Sequence, residues 1–176
     1  SKYYRDRYGV AESAPNGYFT SACSPLVYQD TAIPGLRGQL LACAPAQNFI
    51  HRALIRRDGS LLTLHRVPGE EQSEFLPSSD IWFPPINLAH GPVGGVWIAD
   101  YYREIIEDYS AIPRYLQQQY GLINGENHGR LWRLVHNKML KVPSSNMASL
   151  DATALAREVS SPHFWRRQTA RRLFVE

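Results

Sequence analysis

Residues 38–67 read GQLLACAPAQNFIHRALIRRDGSLLTLHRV, and this stretch decides the fold class. It holds three short apolar runs, GQLLACAP, NFIHRALI and LLTLHRV, each with the length and composition that favour a β-strand. Asp58 and Gly59 lie between the second and third runs, and an Asp-Gly pair between apolar runs is a strong signal for a tight hairpin. The stretch therefore predicts a small antiparallel meander.

The middle run of this meander has apolar residues on both of its faces. A half-buried strand normally places apolar residues on one face and polar residues on the other. We therefore expect this strand to lie between neighbouring sheets, where His51 is either a packing residue with a satisfied partner or a secondary candidate for chemistry. One face carries Phe49, His51, Ala53 and Ile55, and the other carries Ile50, Arg52 and Leu54.

A second meander follows the acidic linker GEEQSEF, residues 69–75. Its segments correspond in order to those of the first unit, which predicts two copies of one unit. The corresponding pairs are PLVYQ with PPINL, GQLLACAP with GGVWIAD, and NFIHRALI with YREIIE, residues 102–107. Repeated antiparallel sheets of about four strands are the blades of a β-propeller. Two blades cannot close a ring, so we expect a mainly β, incomplete propeller whose other blades are supplied upstream.

A short helix is predicted within residues 110–121, with Pro113 in its first turn and Gly121 at its end. Residues 127–136, NHGRLWRLVH, return to the alternation of a strand. We therefore divide the chain into a connector over residues 1–17, propeller blades over 18–140, and the truncated start of a helical repeat over 141–176.

The last part of the chain predicts two short amphipathic helices. The first begins at Ser149 or Asp151, and the second has Ser161 as its N-cap, followed by Pro162 at the first helical position. The second helix carries an arginine cluster, for which a solvated helix face is favoured over a nucleic-acid patch. These arginines are Arg166, Arg167 and Arg171.

Composition excludes several classes of protein. The chain has 176 residues, and 44% of them are hydrophobic. Its net charge of +3 does not indicate a nucleic-acid or a membrane partner. No run approaches the roughly 18 apolar residues that a membrane span needs. The N-terminus has neither an initiator Met nor a signal segment, and the last residues read as an uncapped helix, so we expect both ends to continue.

Two cysteines, Cys23 and Cys43, leave the redox compartment undecided. They fall on segments predicted to be adjacent strands, and both a disulfide and two free thiols stay open. The chain has no CxxC or CxxCH motif and no cluster of His and Cys residues, so we expect no metal site and no covalent haem in this segment.

Several stretches together resemble one family of large bacterial membrane-bound dehydrogenase proteins, over roughly residues 17–136. They are GYFTSACSPLVYQD, LLACAPAQNFIHRALI, GENHGRLWRL and the long segment SEFLPSSDIWFPPINLAHGPVGGVWIADYYREIIEDYSAIP. The terminal SSPHFWRRQTARRLFVE is similar to the start of the HEAT-like repeats in those proteins. The resemblance implies a propeller related to quinoprotein glucose and sorbosone dehydrogenases, with downstream HEAT-like repeats. It also implies c-type haem and pyrroloquinoline quinone in the full-length protein, and a periplasmic or cell-surface location.

The chain departs from the family pattern at two points. The family reads Trp-Phe-Arg-Pro where this chain has Pro84 after Phe83, and Gly-Pro-Asp-Gly where it has Val93 after Pro92. Proline cannot imitate the planar anion clamp of an arginine. Valine lacks the side-chain oxygen with which an aspartate stabilises a turn or a metal.

The resemblance implies a propeller, and the loops that face its mouth would bring eight polar residues together. His128 is the candidate base that takes a hydroxyl proton, or a residue that caps the turn before Gly129. Asp80 is the second catalytic candidate. Ser79, Trp82 and Phe83 beside it equally suit a sugar-binding rim or packing between blades, and both interpretations stay open. Arg103 and Arg130 suit a quinone carboxylate, or form ion pairs with Asp100, Asp80 or Glu107. The candidate cofactor-binding residues are Arg103, Arg130, Gln47, Asn48, Asp100 and Tyr102.

Two main functions follow from the resemblance. One is a fragment of an exported quinoprotein-like dehydrogenase that oxidises a sugar or alcohol and passes electrons to a cytochrome outside this chain. The other is a non-catalytic propeller that binds a carbohydrate or a protein. The terminal helices are a further candidate surface for protein contacts. The isolated fragment is expected to be inactive and prone to aggregation, because an incomplete ring leaves blade edges unpaired.

Overall fold

The computed structural model describes residues 19, 21–103, 106, 112–122, 124–142 and 144–176. Within them the chain is mainly β, with two antiparallel sheets and few helices, which confirms the predicted class. The predicted connector, residues 1–17, lies outside this part. The strands are β1 (Cys23–Val27), β2 (Gln39–Ala44), β3 (Phe49–Asp58), β4 (Leu61–Arg66), β5 (Leu76–Pro77), β6 (Pro85–His90), β7 (Val96–Asp100) and β8 (Arg130–Leu134). The α-helices are α1 (Arg114–Gln119), α2 (Ala152–Glu158) and α3 (Phe164–Leu173).

The first sheet has the order β1-β2-β3-β4, and the short β5 pairs with the start of β3. The predicted hairpin is confirmed, because Asp58 pairs with Leu61 around a two-residue turn. Gly59 in that turn has a φ of +58°, a backbone conformation that would be strained for a residue with a side chain. The segment from residue 38 to 67 therefore forms the meander that its pattern predicts.

The second sheet has the order β6-β7-β8, and its third strand corrects the sequence prediction. YREIIE was expected to be the third strand, but residues 102, 103 and 106 are not in a strand, and β8 pairs with β7 instead. Residues 104, 105 and 107 of this segment lie outside the described residues. The carboxylate of Asp100 accepts the backbone N–H of Tyr102 at 3.0 Å, and Tyr102 has a φ of +52°. This turn directs the chain away from β7 immediately after the strand ends. Helix α1 begins directly after Pro113, and Gly121 follows its C-terminal end.

One hydrophobic core lies between the two sheets, where β1 and β2 contact β6. β1 and β6 are the first strands of their sheets in chain order. Side chains of both sheets form this core, and they include Leu26, Tyr28, Leu41, Cys43, Ile50, Leu88, Val96 and Ile98.

The acidic segment 69–75 is held against the first sheet by ion pairs. Glu74 contacts His51 Nδ1 at 2.7 Å and Arg66 Nη2 at 2.6 Å. Glu70 pairs with Arg52. His51 is therefore a strand residue with a satisfied partner, the first of its two interpretations.

The helical pair α2 and α3 has a small core of its own, formed by Met147, Leu155 and Ala170. Asp151 is the N-cap of α2, since its Oδ1 accepts the N–H of Ala154 at 2.8 Å, which confirms one of the two predicted caps. Of the described helices, none has the length and apolar character needed to cross a bilayer.

The predicted start of α3 was wrong. The helix begins at Phe164, so Ser161 and Pro162 precede it. The first N–H of the helix is satisfied by a distant residue, because Asp30 Oδ2 accepts from Phe164 at 2.7 Å. A cap that comes from far along the chain leaves no local signal.

Arg166 also corrects the prediction of a solvated arginine face. Its side chain is 9% exposed and donates to both carboxylate oxygens of Glu158, at 2.7 and 2.5 Å. A further donation goes from Arg166 Nη1 to Ser145 Oγ at 2.9 Å. Arg171 is exposed as expected. Arg166 therefore holds the two helices together instead of facing solvent.

We expect Glu158→Gln to destabilise the protein at neutral pH by about 1–3 kcal/mol, because it leaves the Arg166 guanidinium poorly paired. The hydrogen bond with Arg166 lowers the pKa of Glu158 below its ordinary 4.5. A depressed carboxyl pKa stabilises the fold above pH 4.5, and this contribution is lost as the pH falls below 4.5 through the folded-state pKa. The difference between the two proteins should therefore shrink toward pH 3.

Urea unfolding of both proteins at pH 7 and pH 3, followed by circular dichroism, measures this effect. Glu126→Gln is the matched control, since Glu126 is exposed. An equal loss of stability at both pH values would contradict the expectation.

Candidate functional site

An aspartate and an arginine face each other at the end of the second sheet. In the register of β7 with β8, Asp100 lies opposite Arg130, and opposite charges at such a position attract. Arg130 Nε donates to Asp100 Oδ2 at 2.6 Å. The Asp100 side chain is fully buried, at 0% exposure. A buried carboxylate without a cationic partner would destabilise the fold, and Arg130 is that partner.

A second carboxylate reaches the same arginine from the loop before β6. Arg130 Nη2 donates to Asp80 Oδ2 at 2.9 Å, and the Asp80 side chain is 42% exposed. Asp80 Oδ1 accepts the N–H of Trp82 at 2.9 Å. The N–H of Trp82 and then Arg130 lower the pKa of Asp80 below its ordinary value. Asp80 is therefore a solvent-facing carboxylate held in place at both oxygens.

Asn48 positions the loop that carries Asp80 and Trp82. Its side-chain Nδ2 donates to the carbonyl oxygens of Ile81 and Phe83, at 3.0 Å each. Asn48 has a φ of +59°, a conformation that asparagine tolerates better than most residues. Gln47 lies in the turn Pro45–Gln47 immediately before it.

Two aromatic rings lie beside the arginine, and a third ring packs against one of them. The Arg130 guanidinium lies 4.2 Å from the ring centre of Tyr102 and 5.2 Å from that of Trp132. Trp82 and Tyr102 have ring centres 5.3 Å apart. Trp132 Nε1 also donates to Asp100 Oδ2 at 2.9 Å. We call this set the Arg130 cluster, and its members are Asp80, Trp82, Asp100, Tyr102, Arg130 and Trp132.

The Arg130 guanidinium stays charged within this cluster. Burial alone would lower the pKa of Arg130, but the hydrogen bonds with Asp80 and Asp100 outweigh it and raise the pKa. Nε and Nη2 make the donations described above. Arg130 Nη1 has no hydrogen-bond partner among the described residues, so it is the nitrogen that can donate to a ligand.

Tyr102 is held in a strained backbone conformation at the centre of the cluster. A φ of +52° is costly for a bulky side chain and is found where the surroundings enforce it. Gly125 packs so closely that a Cβ there would collide with the carbonyl oxygen of Tyr102. Strain of this kind is concentrated at functional sites, which favours Tyr102 as a residue with a role in binding.

The structure brings most of the predicted site residues together. Asp80, Asp100, Tyr102 and Arg130 form direct contacts, and the ring of His128 lies 5.8 Å from that of Tyr102. His128 is exposed. The ion-pair interpretation of Arg130 with Asp80 and Asp100 describes what the structure contains, while the roles of these residues in catalysis and cofactor binding stay predictions.

Arg103 lies next to the cluster but turns to another ring. Its guanidinium is 4.7 Å from the ring centre of Tyr101. Its Nε and Nη1 are buried and have no hydrogen-bond partner among the described residues. The predicted partner Glu107 lies outside them.

Sequence reasoning missed Trp132 as a member of the site. The signal was present, since residues two apart on a strand share a face and Trp132 follows Arg130 by two positions. What the sequence did not show was that β8 pairs with β7, which brings that face onto Asp100.

The described residues contain no group of three His, Cys, Asp or Glu side chains arranged to hold a metal ion. What the cluster offers is a carboxylate, a guanidinium donor and aromatic faces. These groups bind neutral polar ligands by hydrogen bonds and stacking.

Comparison with known proteins gives one family. A family model described as a domain of unknown function, DUF7133, matches residues 3–138. No curated protein and no solved structure matches the chain.

Proposed function

Because this chain belongs to the DUF7133 family, whose function is unknown, we propose a function from the Arg130 cluster: the chain is a platform that binds a carbohydrate. The observation that carries the proposal is the pairing of Asp80, exposed and fixed at both oxygens, with Arg130, which lies over the Tyr102 ring that Trp82 contacts. A sugar presents neighbouring hydroxyls and an apolar face of C–H groups. The carboxylate accepts from a hydroxyl, Nη1 of Arg130 donates to its neighbour, and an aromatic ring packs on the apolar face.

The platform itself is proposed to be part of a β-propeller. Two antiparallel sheets pack together where β1 and β2 contact β6, and a propeller is a radial repetition of such sheets. The loop before β6, the end of β7 and the start of β8 all reach the Arg130 cluster, so one end of the second sheet supplies the ligand site. The other blades, the HEAT-like repeats and an exported, periplasmic or cell-surface location belong to the same proposal.

A dehydrogenase is the second candidate, and the exposed His128 beside Tyr102 is the observation that favours it. In this role His128 takes the proton of the sugar hydroxyl as the substrate is oxidised. Arg130 is a poor partner for a quinone carboxylate, because two aspartates already occupy it. Arg103 fits better, since its buried Nε and Nη1 have no partner among the described residues. Pyrroloquinoline quinone would supply the electron acceptor, and a cytochrome outside this chain would receive the electrons.

Turnover in the full-length protein separates the two candidates. A dehydrogenase should reduce an electron-acceptor dye with a sugar that binds, and His128→Gln should remove turnover while leaving sugar binding intact. Sugar binding without dye reduction by the quinone-loaded protein would leave the platform as the function.

We expect Trp82→Ala to weaken sugar binding about tenfold or more, which corresponds to about 1.4 kcal/mol. The change removes a stacking face beside Asp80 while the carboxylate and guanidinium remain. Isothermal titration calorimetry with a panel of mono- and disaccharides measures the affinity. Tyr115→Ala is the control, since Tyr115 is an exposed aromatic residue on α1. Absence of binding by any sugar, or equal affinity of Trp82→Ala and the unaltered protein, would refute the proposal.

A further inference from the structure

Two cysteines face each other across the first two strands. Cys23 on β1 and Cys43 on β2 are direct partners in the antiparallel register. Such partners have Cα atoms about 4.5–5.5 Å apart, within the range of about 4.4–6.8 Å that a disulfide spans. Both thiols are free in the structure, and the Cys23 thiol donates to the carbonyl of Ile86 at 3.5 Å. Closing the bond therefore needs little movement of the backbone.

We propose that Cys23 and Cys43 are a redox pair that forms an intramolecular disulfide by exchange with a low-molecular-weight disulfide such as oxidised glutathione. The Cys23 thiolate attacks one sulfur of the small disulfide and releases the first small thiolate. The Cys43 thiolate then attacks the Cys23 sulfur of the mixed disulfide and releases the second. The two cysteine protons go to the two released thiolates. The protein loses two electrons, and the small disulfide is reduced to two thiols.

The two thiols differ in burial, which sets the order of attack. Cys43 is fully buried, whereas Cys23 is partly exposed. Burial raises the pKa of Cys43 to about 12, and it also raises the pKa of Cys23. Since the thiolate is the reactive form, the more accessible Cys23 reacts first, and the rate rises with pH. In the product the Cys43 sulfur is buried, so a reducing thiol reaches the bond through the Cys23 sulfur.

The segment closed by this bond holds the residues that anchor the rest of the fold. It contains Tyr28, whose O–H donates to the carbonyl of Gly94 at 2.6 Å, and Asp30, which caps α3. The bond closes a loop of about 20 residues and removes conformations from the unfolded chain. Oxidation is therefore expected to stabilise the surface on which the helical pair docks.

The test compares reduced protein with protein equilibrated with oxidised glutathione at pH 8. We expect the intact mass to fall by two hydrogen atoms, no thiol to react with maleimide after denaturation, and peptides containing Cys23 and Cys43 to be linked in a digest. The midpoint of thermal unfolding should rise on the order of 10 °C. Cys23→Ser and Cys43→Ser are the matched variants, and neither should show the rise.

Three outcomes would overturn the proposal. They are both thiols remaining alkylatable at equilibrium, a stable glutathione adduct on Cys23 that Cys43 does not displace, and disulfide-linked dimers in place of the internal bond. Circular dichroism of both serine variants in reducing buffer shows whether they fold. The mass and peptide measurements on the unaltered protein decide the proposal even if a variant does not fold.

Discussion

Asp30→Ala is expected to release the helical pair from the sheets and to lower the free energy of unfolding by about 3 kcal/mol or more. The Asp30 side chain is 1% exposed, and its Oδ1 accepts the N–H groups of Thr31 and Ala32 at 2.7 and 3.0 Å. The same carboxylate contacts His163 Nδ1 at 3.1 Å and accepts the N–H of Phe164 at 2.7 Å. Removing it leaves these donors without an acceptor, at the point where α3 meets the sheets.

The surroundings of Asp30 make it hard to replace. His90 packs against Phe164 with ring centres 4.2 Å apart and stacks on Tyr28 at 5.6 Å. Burial lowers the pKa of His90, which agrees with its Nε2 accepting the N–H of Gln29 at 3.1 Å. The aromatic contacts therefore depend on the position of α3, which Asp30 sets.

Urea unfolding and limited proteolysis measure the effect of Asp30→Ala. Cleavage between the second sheet and α2, within residues 135–150, should become faster. Asp151→Ala is the matched control, because it also removes a helix cap, but from an exposed position. It should lower the free energy of unfolding by about 1 kcal/mol. If the two variants lose the same stability and are cut at the same rate, Asp30 does not hold the helices.

Arg130→Ala is expected to lower the free energy of unfolding by about 3–5 kcal/mol and, under the proposed function, to abolish sugar binding. The large cost comes from Asp100, whose fully buried carboxylate loses its cationic partner. Binding is lost for two reasons: Asp80 is no longer held toward the ligand, and Nη1 is removed. Arg133→Ala is the control, since Arg133 is exposed on the same strand and its change should stay within about 0.5 kcal/mol.

A double substitution distinguishes a lost ion pair from lost packing. When Asp100→Leu is combined with Arg130→Leu, no buried charge remains, and much of the stability should return. Sugar binding should not return, because the guanidinium is absent. If the double variant is as unstable as the sum of its single variants, the pairing of Arg130 with Asp100 is not the source of the cost. Chemical unfolding and calorimetric titration of all four proteins measure both effects.

The local patterns that were strong enough to predict an element were those with a turn or cap beside them. Asp58 and Gly59 specify a hairpin through backbone geometry alone, and Asp151 specifies a helix start through its own side-chain oxygen. Where no such signal existed, as at α3, the predicted start was displaced to Ser161. The acid that caps this helix, Asp30, is distant in the chain.

The identity of the third strand shows the same limit in the second sheet. YREIIE and RLWRL are both short segments with residues that suit a strand, and YREIIE lies closer to β7 in the chain. The pairing of β7 with β8 prevails because Asp100 turns the chain at Tyr102 and then pairs with Arg130. The Asp100 carboxylate makes both contacts, but only its contact with Tyr102 is local in the sequence.

Local sequence patterns predict the mainly β class, the meander over residues 38–67, the β6-β7 hairpin, the helical character after residue 149, and most of the polar residues of the candidate site. Local backbone preferences and the alternation of side chains are sufficient for these. Three contacts are visible only in the folded chain: Arg130 is shared by Asp80 and Asp100, Trp132 joins them, and Asp30 caps α3. These contacts join segments far apart in the chain, and they form because a buried carboxylate requires donors from whichever segment the packing brings within reach.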